Sequence, residues 1–367
     1  MIQIKSPGRI CLFGEHQDYL GYPIIAMSIS KYIYLKARKI SNSKFIINLP
    51  DIKETLEIPL NNKEIKYLSK RDYIRSGYNI FLRKGIRLDK GYKVEITGDI
   101  PINSGVASSS ALVIAWLFFL NLITGKKLNL FQLAIEGFNT EVKEFKEGGG
   151  MMDHFCSVFG NLIYLIPTLP EPNLITYNIN LEGIVLGNSF EKKQTVDDLV
   201  RVKTNSINAF RDLKEIMPKF NPLTSSLENL EPFLPQLKLE SQKKIIGNII
   251  NRNITIKAKN LIDTNLNILI NRKNPKLIEN FYQDLGNLLN LHHNQLRDNI
   301  QISTSKIDKI LSKCLESGAL GGKINGSGFG GTFFALSPGN KELIKNAIEA
   351  AGGGSYFINT SKGVKTY

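Results

Sequence analysis

GDIPINSGVASSSAL, residues 98–112, decides how this chain is read. A proline and a loop of small residues lead to Ser108, Ser109 and Ser110, and an apolar run follows at once. Small side chains let backbone N–H groups close on a phosphate, and the helix that starts there turns its positive end to the anion. The loop is not of the Walker A kind, because no GK[ST] follows its glycine. A serine cap at the helix start would explain one of the serines. Three in succession before a buried helix favour phosphate and metal binding.

Two more glycine-rich stretches and one glycine-bounded helix start belong with it. SPGRICLFGEHQDYLGYPIIAMSIS, residues 6–30, gathers Arg9, Glu15, His16 and Asp18 between Gly8, Gly14 and Gly21. Such a cluster predicts a tight turn facing a ligand. Its carboxylates and imidazole suit several sugar hydroxyls at once; a solvated loop with a capping aspartate is the competing reading. GGKINGSGFGGTFFAL, residues 321–336, predicts strand, tight glycine turn, strand. EVKEFKEGGGMMDHFCSVFG, residues 141–160, ends a charged helix at Gly148-Gly149-Gly150 and puts Asp153 at the start of the next. Asp153 could simply complement a helix dipole there, and Glu141 could be an exposed helix charge. His154 reads as packed or solvated rather than catalytic.

Composition bounds these readings. A chain of 367 residues exceeds one ordinary core, so two domains are expected, 1–180 and 181–367. Cys11, Cys156 and Cys314 are isolated and odd in number, which fits a reducing cytoplasm and neither a disulfide framework nor a CxxC metal site. No signal peptide is evident in MIQIKSPGRI. The longest apolar stretch, 111–123, is too short for a bilayer and predicts a buried helix. The net charge of +14 is spread through Asn/Ile/Lys-rich sequence. A generally basic surface is therefore favoured over nucleic-acid binding, and its field would attract a nucleoside triphosphate.

Alternating short strands and helices are expected. Strands are predicted over 2–5, 33–38, 45–49, 92–97, 162–166 and 184–188, with 24–27 a further buried strand. Helices are predicted over 72–83, 108–122, 129–143 and about 197–216. The proline-rich stretch 217–236 reads as a connector, followed by long amphipathic helices over 239–293.

Taken together these stretches resemble the GHMP kinase superfamily and, within it, the galactokinases. PGRICLFGEHQDYLGYPII is similar to the family form PGRxNLxGEHTDYxGG, and PINSGVASSSAL to PxGxGLSSSAxL. GGGMMDHFCSVFG is similar to CGxMDQFxSxxG, and GGKINGSGFGGTFFAL to GxRxTGxGFGGCxxxL. Weaker matches lie at RDYIRSGYNIF (71–81) and HHNQLRDNIQISTSKID (292–308). The six run in family order across nearly the whole chain.

The resemblance implies an α+β fold of two domains, an N-terminal α/β domain with a left-handed βαβ unit and a C-terminal ferredoxin-like α+β domain. It implies ATP and Mg²⁺ as cofactors and a small-molecule sugar as substrate, with no nucleic acid or membrane as partner; it leaves monomer and dimer open. By motif match, Asp153 is the catalytic aspartate and Arg9 the arginine that stabilises it. Glu15, His16, Asp18 and Gly150 match sugar contacts. Ser104, Gly105, Val106, Ala107, Ser108, Ser109 and Ser110 match the ATP phosphate loop, and Ser109 and Glu141 match Mg²⁺ ligands. The chain departs from the galactokinase pattern at Asn103-Ser104, Ala107, Gln17 and Gly149. Lys193-Gln194-Thr195 also stands where that family carries a histidine-containing motif. This last departure is closer to mevalonate kinases, and C-1 kinases of arabinose and uronic acids share much of the first motif. An ATP- and sugar-binding regulator without turnover is the non-enzyme alternative; retention of Asp153, Arg9, Ser109 and Glu141 argues against it.

Overall fold

The computed structural model describes residues 1–367 apart from 102–104, 169–170 and 193–194 and the side chains of 195–198. Its strands form two sheets. The larger is built on two long antiparallel strands, β1 (Ile2–Phe13) and β2 (Ile24–Lys39). β3 (Lys44–Leu49) and β4 (Glu54–Pro59) form a hairpin. Helix α1 (Tyr73–Arg83) leads to β5 (Tyr92–Gly98), which lies antiparallel to the second half of β2 and parallel to β3. Helices α2 (Ser108–Ile123), α3 (Leu130–Phe138) and α4 (Met152–Phe159) follow; α2 and α4 lie on β1 and β2. β6 (Leu162–Ile166) pairs with the beginning of β2, and β7 (Asn173–Tyr177) pairs with β6.

The second sheet begins at β8 (Ile184–Asn188). After it come α5 (Thr195–Ile216), α6 (Leu227–Leu230), α7 (Leu239–Asn271), α8 (Pro275–Asp298) and α9 (Ser305–Glu316). β9 (Gly321–Ile324), β10 (Thr332–Leu336), α10 (Lys341–Ala350) and β11 (Gly354–Phe357) complete it. All pairs are antiparallel, in the spatial order β11-β8-β10-β9. Strand one beside strand four, with three and two beyond, is the ferredoxin-like order. A final short strand, β12 (Lys365–Thr366), returns to β1. The fold is thus α+β, as expected.

Local chemistry explains the elements that frame the site. The apolar run predicted over 108–122 is α2, apolar on nearly all sides and correspondingly buried. Trp116 lies fully inside, its Nε1–H donating to the Ile74 carbonyl at 3.0 Å. Asp72 caps α1, accepting from the Arg75 N–H. The three cysteines are free and buried. Among the described residues no helix is long and apolar enough to cross a membrane.

Three elements differ from expectation, one of them β2, which joins the strands predicted over 24–27 and 33–38 into one. β1 does not stop at residue 5 but runs to Phe13, so Arg9 lies on a strand and only the part after Gly14 forms the turn. The register shifts between Pro7 and Arg9, which absorbs the proline, and at Gly8 a Cβ would stand 2.7 Å from the Val106 carbonyl. The helix predicted over 129–143 ends its α-helical part at Phe138 and continues as a π turn, Asn139–Lys143. That turn carries Glu141, which is buried rather than exposed.

Candidate active site

Arg9 on β1 and Asp153 on α4 meet across a long separation in sequence. Asp153 is the second residue of α4, where the helix dipole favours a carboxylate. The Arg9 guanidinium holds it with a parallel pair of bonds, Nε to Oδ1 at 2.7 Å and Nη2 to Oδ2 at 2.8 Å. Nη1 donates to the Gly105 carbonyl at 2.6 Å, so the same side chain fixes the loop before α2. Burial works against the Arg9 charge, but the facing Asp153 outweighs it and holds the guanidinium above its ordinary value.

Asp18 stands beside this pair. Its Oδ1 accepts from the Tyr19 N–H at 2.9 Å and its Oδ2 from the Met152 N–H at 3.3 Å. A Cβ on Gly150 would lie 2.0 Å from Asp18 Oδ2, so only glycine lets the α4 start reach this carboxylate. Burial, and then the neighbouring Asp153 charge, push Asp18 up to about 6. His16 has a left-handed backbone, φ 58°. Its Nε2 faces the Ser327 carbonyl at 3.1 Å and its Nδ1 the Tyr19 hydroxyl at 3.0 Å. A carbonyl only accepts, so Nε2 carries the proton and, in the neutral ring, Nδ1 accepts from Tyr19.

Glu15 is placed differently from its neighbours. It is 1 % exposed and forms an ion pair with Lys323, itself 0 % exposed. Lys323 Nζ also donates to the carbonyls of Cys11 and Ile324, both at 2.9 Å. The other Glu15 oxygen accepts from the Gly326 N–H at 3.3 Å. Asn325 adds to this clasp, accepting from the Cys11 N–H and donating to the Gly105 carbonyl, each at 2.9 Å. Gly326 then presses on the loop so closely that a Cβ would stand 2.5 Å from the Gly105 oxygen. The third glycine-rich stretch thereby meets the protein's own second stretch. Lys323, Asn325 and Tyr19 escaped the sequence reading; the signal for Lys323 is a lysine inside an otherwise apolar strand between glycines.

The start of α2 completes the site. Ala107 adopts φ 62°, ψ 41°, and no side chain caps the helix. Its first-turn N–H groups are of the kind left for an anion. Ser110 turns inward, its Oγ donating to Glu141 Oε2 at 2.6 Å, and His154 Nε2 reaches the same oxygen at 2.8 Å. Burial pushes Glu141 up, but His154 with Ser109 and Ser110 outweighs it and holds the carboxyl below its ordinary value. A cavity of about 190 Å³ joins these parts; Arg9, Glu15, His16, Asp18, Gly105, Ala107, Ser108, Ser109, Ser110, Glu141, Gly150 and Asp153 all line it. Val106 is buried beneath, giving its carbonyl to the Arg9 N–H at 3.1 Å. Ser104, Asn103 and Lys193-Gln194 lie outside the described residues, as does the Thr195 side chain.

Known proteins place this arrangement in a class of phosphotransferases. The family profile described as GHMP kinases N terminal domain matches residues 72–161, and GHMP kinases C terminal matches 274–354. The galactokinase galactose-binding signature matches residues 2–39. The chain belongs to the GHMP kinase family, and it is an ATP-dependent kinase. Mevalonate kinase of Pyrococcus furiosus is 26% identical, over 98% of this chain and 96% of its own length. Galactokinase of Thermotoga maritima is 27% identical, over 92% and 89%. In structure, the Lactococcus lactis galactokinase complexed with galactose superposes with a TM-score of 0.84 at 21% identity, covering 100% of this chain and 95% of that one. Methanococcus jannaschii mevalonate kinase gives 0.69 at 18% identity, covering 98% of each.

Proposed function

We propose that this kinase transfers the γ-phosphoryl group of ATP to a sugar hydroxyl, the anomeric C-1 hydroxyl of galactose or a related sugar, and that residues 1–180 and 181–367 are its two domains. The observation that carries the reading is the Asp153 carboxylate, clamped by Arg9 and open to a cavity that it shares with half-buried Asp18 and buried His16. The galactose-binding signature covers the strand and turn that supply Arg9, His16 and Asp18. Phosphoryl transfer requires in-line positioning and neutralised charge more than covalent chemistry. Asp153 orients the acceptor hydroxyl and can take its proton, and Arg9 offsets charge on the transferring group. Asp18 and His16 contact the sugar, Glu15 fixes the turn that carries them, and Gly150 leaves the room they need. Backbone N–H groups from Gly105 to Ser110 receive the triphosphate, together with the loop residue Ser104.

Among the described residues no group of three or more His, Cys, Asp or Glu could hold a metal alone. A carboxylate kept ionised beside a hydroxyl instead fits Mg²⁺, which takes one or two protein oxygens and completes its shell with phosphates and water. Glu141 and Ser109 would hold it, and the ion would neutralise phosphate charge. Replacing Ser109 with Ala, or Glu141 with Gln, is expected to raise the Mg²⁺ concentration for half-maximal rate at least about tenfold, the first by removing a hard oxygen ligand and the second by removing the carboxylate charge. Titrating Mg²⁺ at fixed ATP checks this; an unchanged midpoint in both variants removes the assignment.

Purified protein with ATP and, in turn, galactose, arabinose, galacturonate, glucuronate and mevalonate tests the substrate. Mevalonate kinase is the second reading, favoured by relatives as similar as the galactokinases. Phosphorylation of mevalonate with no turnover of any sugar would select it. The sugar reading also sets a pH dependence. Asp18 accepts from a hydroxyl most strongly when ionised, and it loses that state as pH falls through about 6. The sugar KM is therefore expected to rise below that pH while the ATP KM does not follow. In Asp18→Asn the sugar KM should be high at every pH and this step absent.

A further inference from the structure

His154 is 1 % exposed, and packing alone does not account for it. Its ring lies against Phe138 and the Gly137 backbone, surroundings that an apolar side chain would fill as well. Its Nδ1 is buried with no hydrogen-bond partner among the described residues. An unsatisfied polar atom inside a protein is unfavourable, so something on the other side of the ring must offset it. That side is the 2.8 Å contact from Nε2 to Glu141 Oε2.

The Glu141 surroundings show what this contact does. Ser110 Oγ reaches the same oxygen at 2.6 Å, so two groups on two different helices converge on Oε2. The carboxylate sits on a π turn, where the backbone register departs from the preceding α-helix. With Oε2 held from both sides, the rotation of the carboxylate is fixed and Oε1 is left as the oxygen to meet a cation at the cavity. Glutamine in place of His154 would offer an N–H of similar reach and no second ring nitrogen to bury.

We infer that His154 is a positioning residue: its Nε2–H fixes the Glu141 carboxylate so that Oε1 is presented to the divalent cation bound with ATP. The inference rests on the reading of Glu141 as a cation ligand. It assigns His154 no contact with substrate and no proton transfer.

The test measures binding without turnover. Mn²⁺ replaces Mg²⁺, adenylyl imidodiphosphate replaces ATP, and bound Mn²⁺ is followed by electron paramagnetic resonance in the full chain. His154→Leu and His154→Met are expected to weaken Mn²⁺ binding to the nucleotide complex about 10–100-fold, the usual loss when a partner of a metal ligand is removed. His154→Gln should stay within about threefold of the parent, because it restores an N–H donor. Affinity for the nucleotide without cation should be the same in all three, which a general loss of structure would not allow. Parent-like Mn²⁺ binding in Leu and Met variants overturns the inference, as does a Gln variant as weak as they are. Glu141→Gln separates the two levels: if it leaves Mn²⁺ binding intact, the metal-ligand reading itself fails. If it weakens binding while His154→Leu and His154→Met do not, only the role of His154 fails. Should His154→Leu not fold, His154→Met carries the same comparison with an unbranched side chain.

Discussion

Asp153→Asn is expected to bind ATP normally and to lose turnover by about 10²–10⁴-fold, the range for removing a positioned proton acceptor. Asparagine keeps the shape of the side chain and leaves the phosphate loop untouched, so nucleotide affinity has no reason to change. What disappears is the charge. In the protein as it stands, two parallel bonds from Arg9 fix the plane of the carboxylate, and the helix dipole of α4 supports it. An amide can accept from Arg9 through one atom only, and its NH₂ faces the other guanidinium nitrogen. The acceptor hydroxyl then loses both its orienting group and its proton acceptor. Arg9, 4 % exposed, also keeps a charge without its partner, so the variant should melt earlier. Rates must accordingly be compared below its unfolding transition. Steady-state kcat with a separate nucleotide titration decides the matter. A variant with near-normal kcat removes Asp153 from the mechanism.

Much of this site was legible because its chemistry is local in sequence. The serine loop and the apolar run behind it announce a helix start with small residues before it, and α2 begins at Ser108 as read. Gly148-Gly149-Gly150 before Asp153 announces a helix start with a carboxylate in its first turn, and α4 supplies it. What the sequence concealed lies in contacts across long separations. Glu15 looked like a sugar contact because it sits between glycines and next to a histidine; 308 residues later Lys323 takes its carboxylate. The alternating pattern of the first strand is readable only over 2–5, while β1 runs to Phe13. The observed strand continues through a register shift, because the Val106 carbonyl approaches where Gly8 has no Cβ. His154 read as packed or solvated and is packed, but its hydrogen bond to Glu141 on another element was not visible. Local propensity carries no record of such pairings.

Lys323 and Glu15 carry the second large expectation. Lys323→Met should lower the free energy of unfolding by about 3–5 kcal/mol, the usual cost of removing one partner from a buried ion pair. Methionine fills similar volume, so cavity formation is not the main effect. The loss arises because the Glu15 carboxylate, at 1 % exposure, loses its ammonium partner and keeps the neutral Gly326 N–H, while the carbonyls of Cys11 and Ile324 lose their ammonium donor. Glu15→Gln should cost less, because the amide still accepts from Lys323. In the double variant the two losses should not add: with neither charge present there is no unpaired ion to bury. The midpoint and slope of denaturant unfolding for the parent, both single variants and the double variant give that comparison. Strict additivity, or a Lys323→Met cost under about 1 kcal/mol, a value typical of exposed pairs, would show that this contact does not hold the site together. The expected coupling has a functional consequence as well. Lys323 fixes the turn that leads through Asn325 and Gly326 to the Gly105 carbonyl, and Arg9 grips that carbonyl from the other side. Loosening Lys323 therefore loosens the loop before α2, and the ATP KM of Lys323→Met should rise even at temperatures where the variant is fully folded.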